Sequence, residues 1–164
     1  MAPALYEASV VVFIRQLNIL REILNKGVEW CQENGHSEDK LLQSRLAPDM
    51  NPLTFQVQTC CDDSAKLLNR LLDLNEPQAP REETAFAELY SRIDKALALL
   101  QSVDPADFGG KEEKTIIWEA GSIEARFDGW TYIQEVALPN CEYYLTCVND
   151  CNTWPSSHLR SLVS

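Results

Sequence analysis

The sequence predicts an all-α protein: an antiparallel four-helix bundle with a short extra helix and a small β-hairpin before the last helix. Three observations predict it. Long segments carry apolar residues at alternating spacings of 4 and 3, which is the mark of a helix with one buried stripe. Clusters of Gly and Pro fall between those segments. Only the stretch from Thr115 to Phe127 is rich in β-favouring residues. A chain of 164 residues, 45% of them apolar, suits a single domain with a sizeable core.

The elements follow in order. Tyr6, Val10, Phe13, Leu17, Leu20 and Leu24 form the first stripe, in a helix that starts near Pro3 and stops at Gly35. Ser37 then suits an N-cap, with Glu38 and Asp39 in the first turn of a short helix to about Leu46. Ala47-Pro48-Asp49 breaks it, and Asn51-Pro52 opens the next helix. Its stripe is Leu53, Val57, Cys60, Ser64, Leu67, Leu71 and Leu74, and Pro77 and Pro80 bracket the linker after it. Glu83-Thr84 leads into a helix with the stripe Phe86, Leu89, Ile93, Leu97 and Leu100, ended by Asp104-Pro105 and Gly109-Gly110. Thr115–Trp118 and Ser122–Phe127, around Ala120-Gly121, form the hairpin, which is too small to stand without the helices beneath it. Residues from Trp130 to Leu138 are helical, Pro139 interrupts them, and Asn140 to Cys151 resume. The bundle domain spans 1–152, and 153–164 reads as a loosely ordered tail.

Charge sets the broad exclusions. With 25 acidic and 14 basic residues the formal net charge is −11, which repels phosphate backbones and anionic lipid. Nucleic acid and a membrane surface are therefore not expected as partners. The longest apolar run is five residues, Val10 to Ile14, far short of the roughly 20 needed to span a bilayer. The six cysteines form no C-x-x-C pair, and a chain of this length builds a core without staples. Reduced, mostly buried thiols in a cytoplasmic protein are the expectation.

The stretch Arg45-Leu46-Ala47-Pro48-Asp49-Met50-Asn51-Pro52-Leu53-x-x-Gln56-Val57 resembles a family of small helical-bundle proteins of bacteria and fungi within the DinB/YfiT-like superfamily. Ala65-Lys66 with Arg70-Leu71 is similar to that family's continuation of the same helix. Glu83-Thr84-x-Phe86-x-Glu88-Leu89-x-x-Arg92-Ile93 resembles its next helix, and Leu138-Pro139-Asn140 the opening of its last. The resemblance covers about residues 4–148 and implies the same bundle with a small hairpin. Many members of the superfamily hold a divalent metal with three histidines, and some use it in thiol transfer. This chain has only His36 and His158. Where relatives often carry a histidine before Ala-Lys, it has Asp62-Asp63-Ser64. Where they carry one four residues after the Asn of Leu-Pro-Asn, it has Tyr144. Tyrosine is a poor substitute for neutral imidazole, so the departures argue against the metal and no cofactor is expected.

The candidate residues keep two readings each. Asp49, Asp62, Asp63 and Glu135 are the carboxylates expected at a central cleft, where apolar walls raise a carboxyl into general-base range. The plainer alternatives are a helix cap for Asp49 and a solvated face for Asp62 or Asp63. Arg45 either clamps Asp49 one helical turn away or holds a ligand's anionic group. Gln56 lies near the core stripe and needs a partner in the protein or in a ligand. Trp118, Trp130, Tyr132, Tyr143 and Tyr144 wall a pocket for an apolar or polycyclic molecule, fill the core, or form the seam of a homodimer. Cys147 and Cys151 at i, i+4 could clip a metal with His158, but no fourth ligand has a recognisable spacing. No phosphate-cradling glycine motif occurs.

The expected activity is a cofactor-independent isomerase, cyclase or dehydratase-type lyase. In it Asp49, Asp62, Glu135 and Tyr144 move protons, while Arg45, Gln56, Trp118, Trp130, Tyr132 and Tyr143 hold the ligand. In a fungus this would tailor a secondary metabolite. The alternatives are a non-catalytic bundle that binds a ligand or a second copy, and a divergent metalloenzyme using Asp62 or Asp63 with His36.

Overall fold

A computed structural model describes residues 2–158 of the protein. The chain is mostly helical, with one two-stranded antiparallel sheet. Helix α1 (Ala4–Tyr6) runs through a π-helical turn (Glu7–Val11) into α2 (Val12–Asn34). The extra residue of that turn moves the stripe back by one position. Leu5 is fully buried with Val10, while Tyr6 lies at the edge, its ring 5.3 Å from Phe108. Phe13, Leu17, Leu20 and Leu24 are fully buried as the spacing predicts, and Gly35 closes α2 in the left-handed conformation at φ 67°.

Helix α3 (Glu38–Leu42) is shorter than expected. Ser37 precedes it but makes no capping bond with its side chain. Residues 43–52 are instead tied back through Leu53 N to Ser44 O (2.9 Å) and Thr54 Oγ1 to Leu42 O (2.9 Å). Helix α4 (Leu53–Leu72) follows, with Pro52 rather than Asn51 in the cap position. Its whole predicted stripe is buried except Leu74, which is half-buried beyond the helix end. From Leu53 to Ser64 only Phe55 escapes full burial, because three elements cover this half of the helix: α7, α5 and the linker after α4.

Helix α5 (Phe86–Ser102) starts where Glu88 Oε2 accepts from the backbone of Thr84 (2.6 Å) and Ala85 (3.1 Å). A 3₁₀ turn (Pro105–Phe108) capped by Asp104 leads to strands β1 (Ile116–Ala120) and β2 (Ile123–Phe127). They pair with Ala120 opposite Ile123, so the turn is Gly121-Ser122, one residue later than expected, with Gly121 at φ 61°.

Asp128 caps α6 (Gly129–Tyr132) by accepting from Thr131 N (2.7 Å). A second π-helical turn (Ile133–Ala137) then joins α6 to α7 (Leu138–His158). Pro139 was expected to interrupt this helix and does not. Its missing N–H and its ring would conflict with the carbonyl of Glu135 in an α-helix, and Glu135 lies within the π-helical turn, where that pairing is not used. The α7 backbone runs on to His158, past the expected boundary at 152, and residues 159–164 of the expected tail lie outside the described residues.

Helix α4 packs against α7 and α5, α2 packs against the same two, and α2 and α4 meet in a smaller contact. The core lies between them. Among the described residues no helix is long and apolar enough to cross a membrane.

Candidate functional site

The chemistry collects on α4. Consecutive helix residues point about 100° apart, so Asp62 and Asp63 face different flanks of one helix. Both are buried, at 6% and 8% exposure, which corrects the solvated alternative for each.

Asp62 faces α5 and the linker. Its Oδ1 accepts from Arg92 Nη2 at 2.6 Å. Its Oδ2 accepts from Arg81 Nη2 (2.8 Å), Arg81 Nε (3.2 Å) and Gln78 Nε2 (3.1 Å). Arg92 is itself buried, and its Nη1 donates to Glu83 Oε1 (2.5 Å) and the Pro80 carbonyl (2.7 Å). Gln58 Nε2 holds the other Glu83 oxygen at 2.8 Å. Burial pushes the Glu83 carboxyl up, but the bonds from Arg92, its own backbone and Gln58 outweigh this and hold it below the ordinary range. For Arg92, burial lowers and the bonds to Glu83 and Asp62 raise, with the net result upward. Every oxygen of Asp62 is therefore engaged, and the network straps residues 76–85 across α4 and α5. Asn69 adds a reciprocal pair of 2.9 Å bonds to Glu76. Asp62, expected as a proton carrier, anchors this network through both of its oxygens.

Asp63 faces the other flank. Its Oδ1 accepts from Lys66 Nζ at 2.9 Å, while its Oδ2 is buried without a hydrogen-bond partner. Burial drives the Asp63 carboxyl upward, offset in part by Lys66. Tyr144 of α7 is half-buried within electrostatic reach of Asp63. Its phenol is pushed up first by burial and then by the Asp63 charge. Tyr132 is 2% exposed, and its hydroxyl accepts from Arg70 Nη1 at 2.8 Å, the guanidinium lying 5.3 Å from the ring centre. Burial also raises the Tyr132 phenol, and Arg70 opposes that. Gln56 lies two turns from Asp63 on α4. Its Nε2 donates to Asn51 O (2.9 Å), and its Oε1 is buried and unpartnered. Two acceptor oxygens on one flank of α4 thus lack donors. Both phenols stay protonated near neutrality and are donors.

The remaining expected residues lie elsewhere. Asp49 and Glu135 are exposed, which corrects their placement at a central cleft. Asp49 caps no helix and does not pair with Arg45, whose Nη1 donates to Met50 O at 2.5 Å. Arg45 is exposed in the loop before α4. Trp118 is half-buried against the core from β1. Trp130 and Tyr143 are exposed, at 36% and 55%, so neither is core.

The alternative ligand set of Asp62 or Asp63 with His36 is not assembled among the described residues. His36 stacks on Trp30 at 4.7 Å, at the C-terminal end of α2. Among the described residues no group of three His, Cys, Asp or Glu side chains could hold a metal ion. The side chain of His158 lies outside the described residues, so its expected clip with Cys147 and Cys151 is not placed. All six cysteines are free and buried, with Cys60 Sγ 3.5 Å from Cys141 Sγ.

Three residues central to this region were not expected as site residues: Lys66, Arg70 and Arg92. Arg92 had a signal, since its spacing from Leu89 and Ala96 puts an arginine on the buried stripe of α5, where it must find acids.

A family model described as "Domain of unknown function (DUF1993)" matches residues 5–149. A crystal structure of a DinB family member protein from Shewanella denitrificans is similar, with 29% sequence identity and a TM-score of 0.82. The similarity covers 93% of this chain and 86% of that one. No curated protein matches.

Proposed function

The chain belongs to the DUF1993 family, and from that premise we propose that it is a four-helix bundle of the DinB kind that moves protons on a small apolar or polycyclic substrate without a resident cofactor. The observation that carries this reading is Asp63: a buried carboxyl raised above the ordinary range, one oxygen on Lys66 and the other unpartnered. A carboxyl raised in this way, with one oxygen free, is a stronger base than a solvated one, and proton transfer by such a group contributes about 10²–10⁴-fold to rate. Tyr144 supplies the complementary donor. In the proposed step the free Oδ2 of Asp63 accepts a proton from a carbon next to a substrate carbonyl. Tyr144 O–H hydrogen-bonds the resulting enolate oxygen. Returning the proton to a different carbon isomerises the substrate, and passing it instead to a departing β-hydroxyl releases water and dehydrates it. Tyr132 is held by Arg70 and lines the same flank. Asp63 and Tyr144 therefore replace the wider set of Asp49, Asp62, Glu135 and Tyr144.

The test is solvent deuterium incorporation into a panel of enolisable cyclic ketones, followed by mass spectrometry. Exchange above buffer is expected for part of the panel, falling at least about 100-fold in Asp63→Asn and about 10-fold in Tyr144→Phe. Exchange with no ketone, or exchange unchanged in Asp63→Asn, overturns the reading.

A second reading is a non-catalytic bundle that pairs with another copy, supported by the exposed Trp130 and Tyr143. A monomer mass in solution at micromolar concentration would refute it. The free thiols support the cytoplasm as the compartment.

A further inference from the structure

On the Asp62 flank of α4, a cleft of about 290 Å³ opens between α4, α5 and the linker. Its walls are apolar and mostly small: Cys61 and Ala65 from α4, Ala96 and Leu99 from α5, Pro77 and Ala79 from the linker. Ala96 occupies the buried stripe of α5, where a leucine would close the space. The strap made by Arg81 and Arg92 on Asp62 holds the linker over the helices and keeps the cleft's third wall in place.

Cations line it. Lys66, 40% exposed, is already paired with Asp63. Lys95 is exposed and has no ionic or hydrogen-bond partner among the described residues. Arg92 also lines the cleft, and its buried Nε–H has no partner although both Nη groups are engaged. The combination is an apolar slot with one free positive charge at its rim and one unused buried donor.

We propose that this cleft binds a small amphipathic carboxylate, with its apolar body between α4 and α5 and its carboxylate at Lys95. A singly charged head fits better than a phosphate. Only one cation is unengaged, and Glu76 also lines the cleft and opposes a dianion. The volume equals that of on the order of ten waters at about 30 Å³ each, which suits a medium-chain acid. The site does not depend on Asp63 acting as a base.

The experiment is an NMR titration of the ¹⁵N-labelled protein with octanoate and, in parallel, with 1-octanol. Octanoate is expected to shift amides of α4, α5 and the linker saturably, and to bind at least about fivefold more tightly than 1-octanol. Lys95→Gln removes that advantage and leaves 1-octanol affinity unchanged. Ala96→Leu fills the slot and abolishes both, with circular dichroism confirming that it folds. Octanoate that does not saturate by about 10 mM, that binds no better than 1-octanol, or that binds Lys95→Gln as tightly as wild type overturns the proposal.

Discussion

Replacing Arg92 with Met tests the strap most directly, because Met keeps the apolar stem and removes only the guanidinium. The guanidinium makes ion pairs at 2.6 Å to Asp62 and 2.5 Å to Glu83, and bonds at 2.7 and 3.3 Å to the carbonyls of Pro80 and Ala79. Removing one member of a buried pair costs about 3–5 kcal/mol, since the partner is left buried and uncompensated. Here the cost falls at the low end. Asp62 keeps Arg81 and Gln78, Glu83 keeps Gln58, and Ala79 and Pro80 are exposed enough for water to replace Arg92. The expectation is ~3 kcal/mol, or a fall in Tm of ~6–12 °C for a chain of this length. Urea unfolding of Arg92→Met, Asp62→Asn and the double variant completes a cycle. The double variant should be less destabilised than the sum of the singles by at least ~1 kcal/mol. A second readout is pH. The Glu83 carboxyl lies below its ordinary range when folded, so its contribution is present above that range and is lost as pH falls through the folded value. Arg92→Met should flatten this acid dependence. A loss below ~1 kcal/mol, or additivity within ~0.5 kcal/mol, would refute the strap.

Three further outcomes follow from other sites. The Asp63 carboxyl is raised by folding, so between its ordinary value and its folded value the native state binds the extra proton and stability falls as pH rises. Asp63→Asn should remove that slope, and chemical denaturation at pH 4, 5.5 and 7 reads it; an unchanged slope sinks the assignment. Gly129→Ala should cost ~1–3 kcal/mol, because an added Cβ would lie 2.0 Å from the Lys111 carbonyl oxygen; a thermal melt matching wild type would refute the close approach. The six buried thiols should resist an aromatic disulfide reagent in the native protein and all react in guanidinium; rapid native labelling of Cys60 or Cys141 would contradict their burial.

The helices were legible in the sequence because a stripe spaced by 3 and 4 states which face is buried. Phe13 to Leu24 and Leu53 to Leu71 are buried as that spacing requires. Departures came where backbone geometry is set by a neighbour rather than by pattern. The π-helical turn at 7–11 exchanged Leu5 for Tyr6, and the one at 133–137 let Pro139 pass without a break. Neither turn has a composition that distinguishes it from an α-helix. Asp49 and Glu135 failed as cleft residues for a related reason. Sequence spacing shows that a carboxylate is present, and tertiary packing decides whether it is covered.

The same limit explains why Asp62 and Asp63 could not be told apart from spacing alone. Their difference comes from the linker, a segment with no periodic signal. It lies across the Asp62 flank and brings Arg81, Gln78 and Glu83 with it. Two guanidiniums there satisfy Asp62 completely, whereas on the other flank the Arg70 guanidinium bonds Tyr132 rather than Asp63. Asp63 is left with a single lysine and one unsatisfied oxygen. A buried carboxylate with half its capacity unused is costly to keep. Asparagine at this position would remove the buried charge and keep the shape. A carboxylate held there at a cost in stability is what a proton-transfer site requires, so Asp63→Asn should separate the two roles by gaining stability at neutral pH while losing exchange activity.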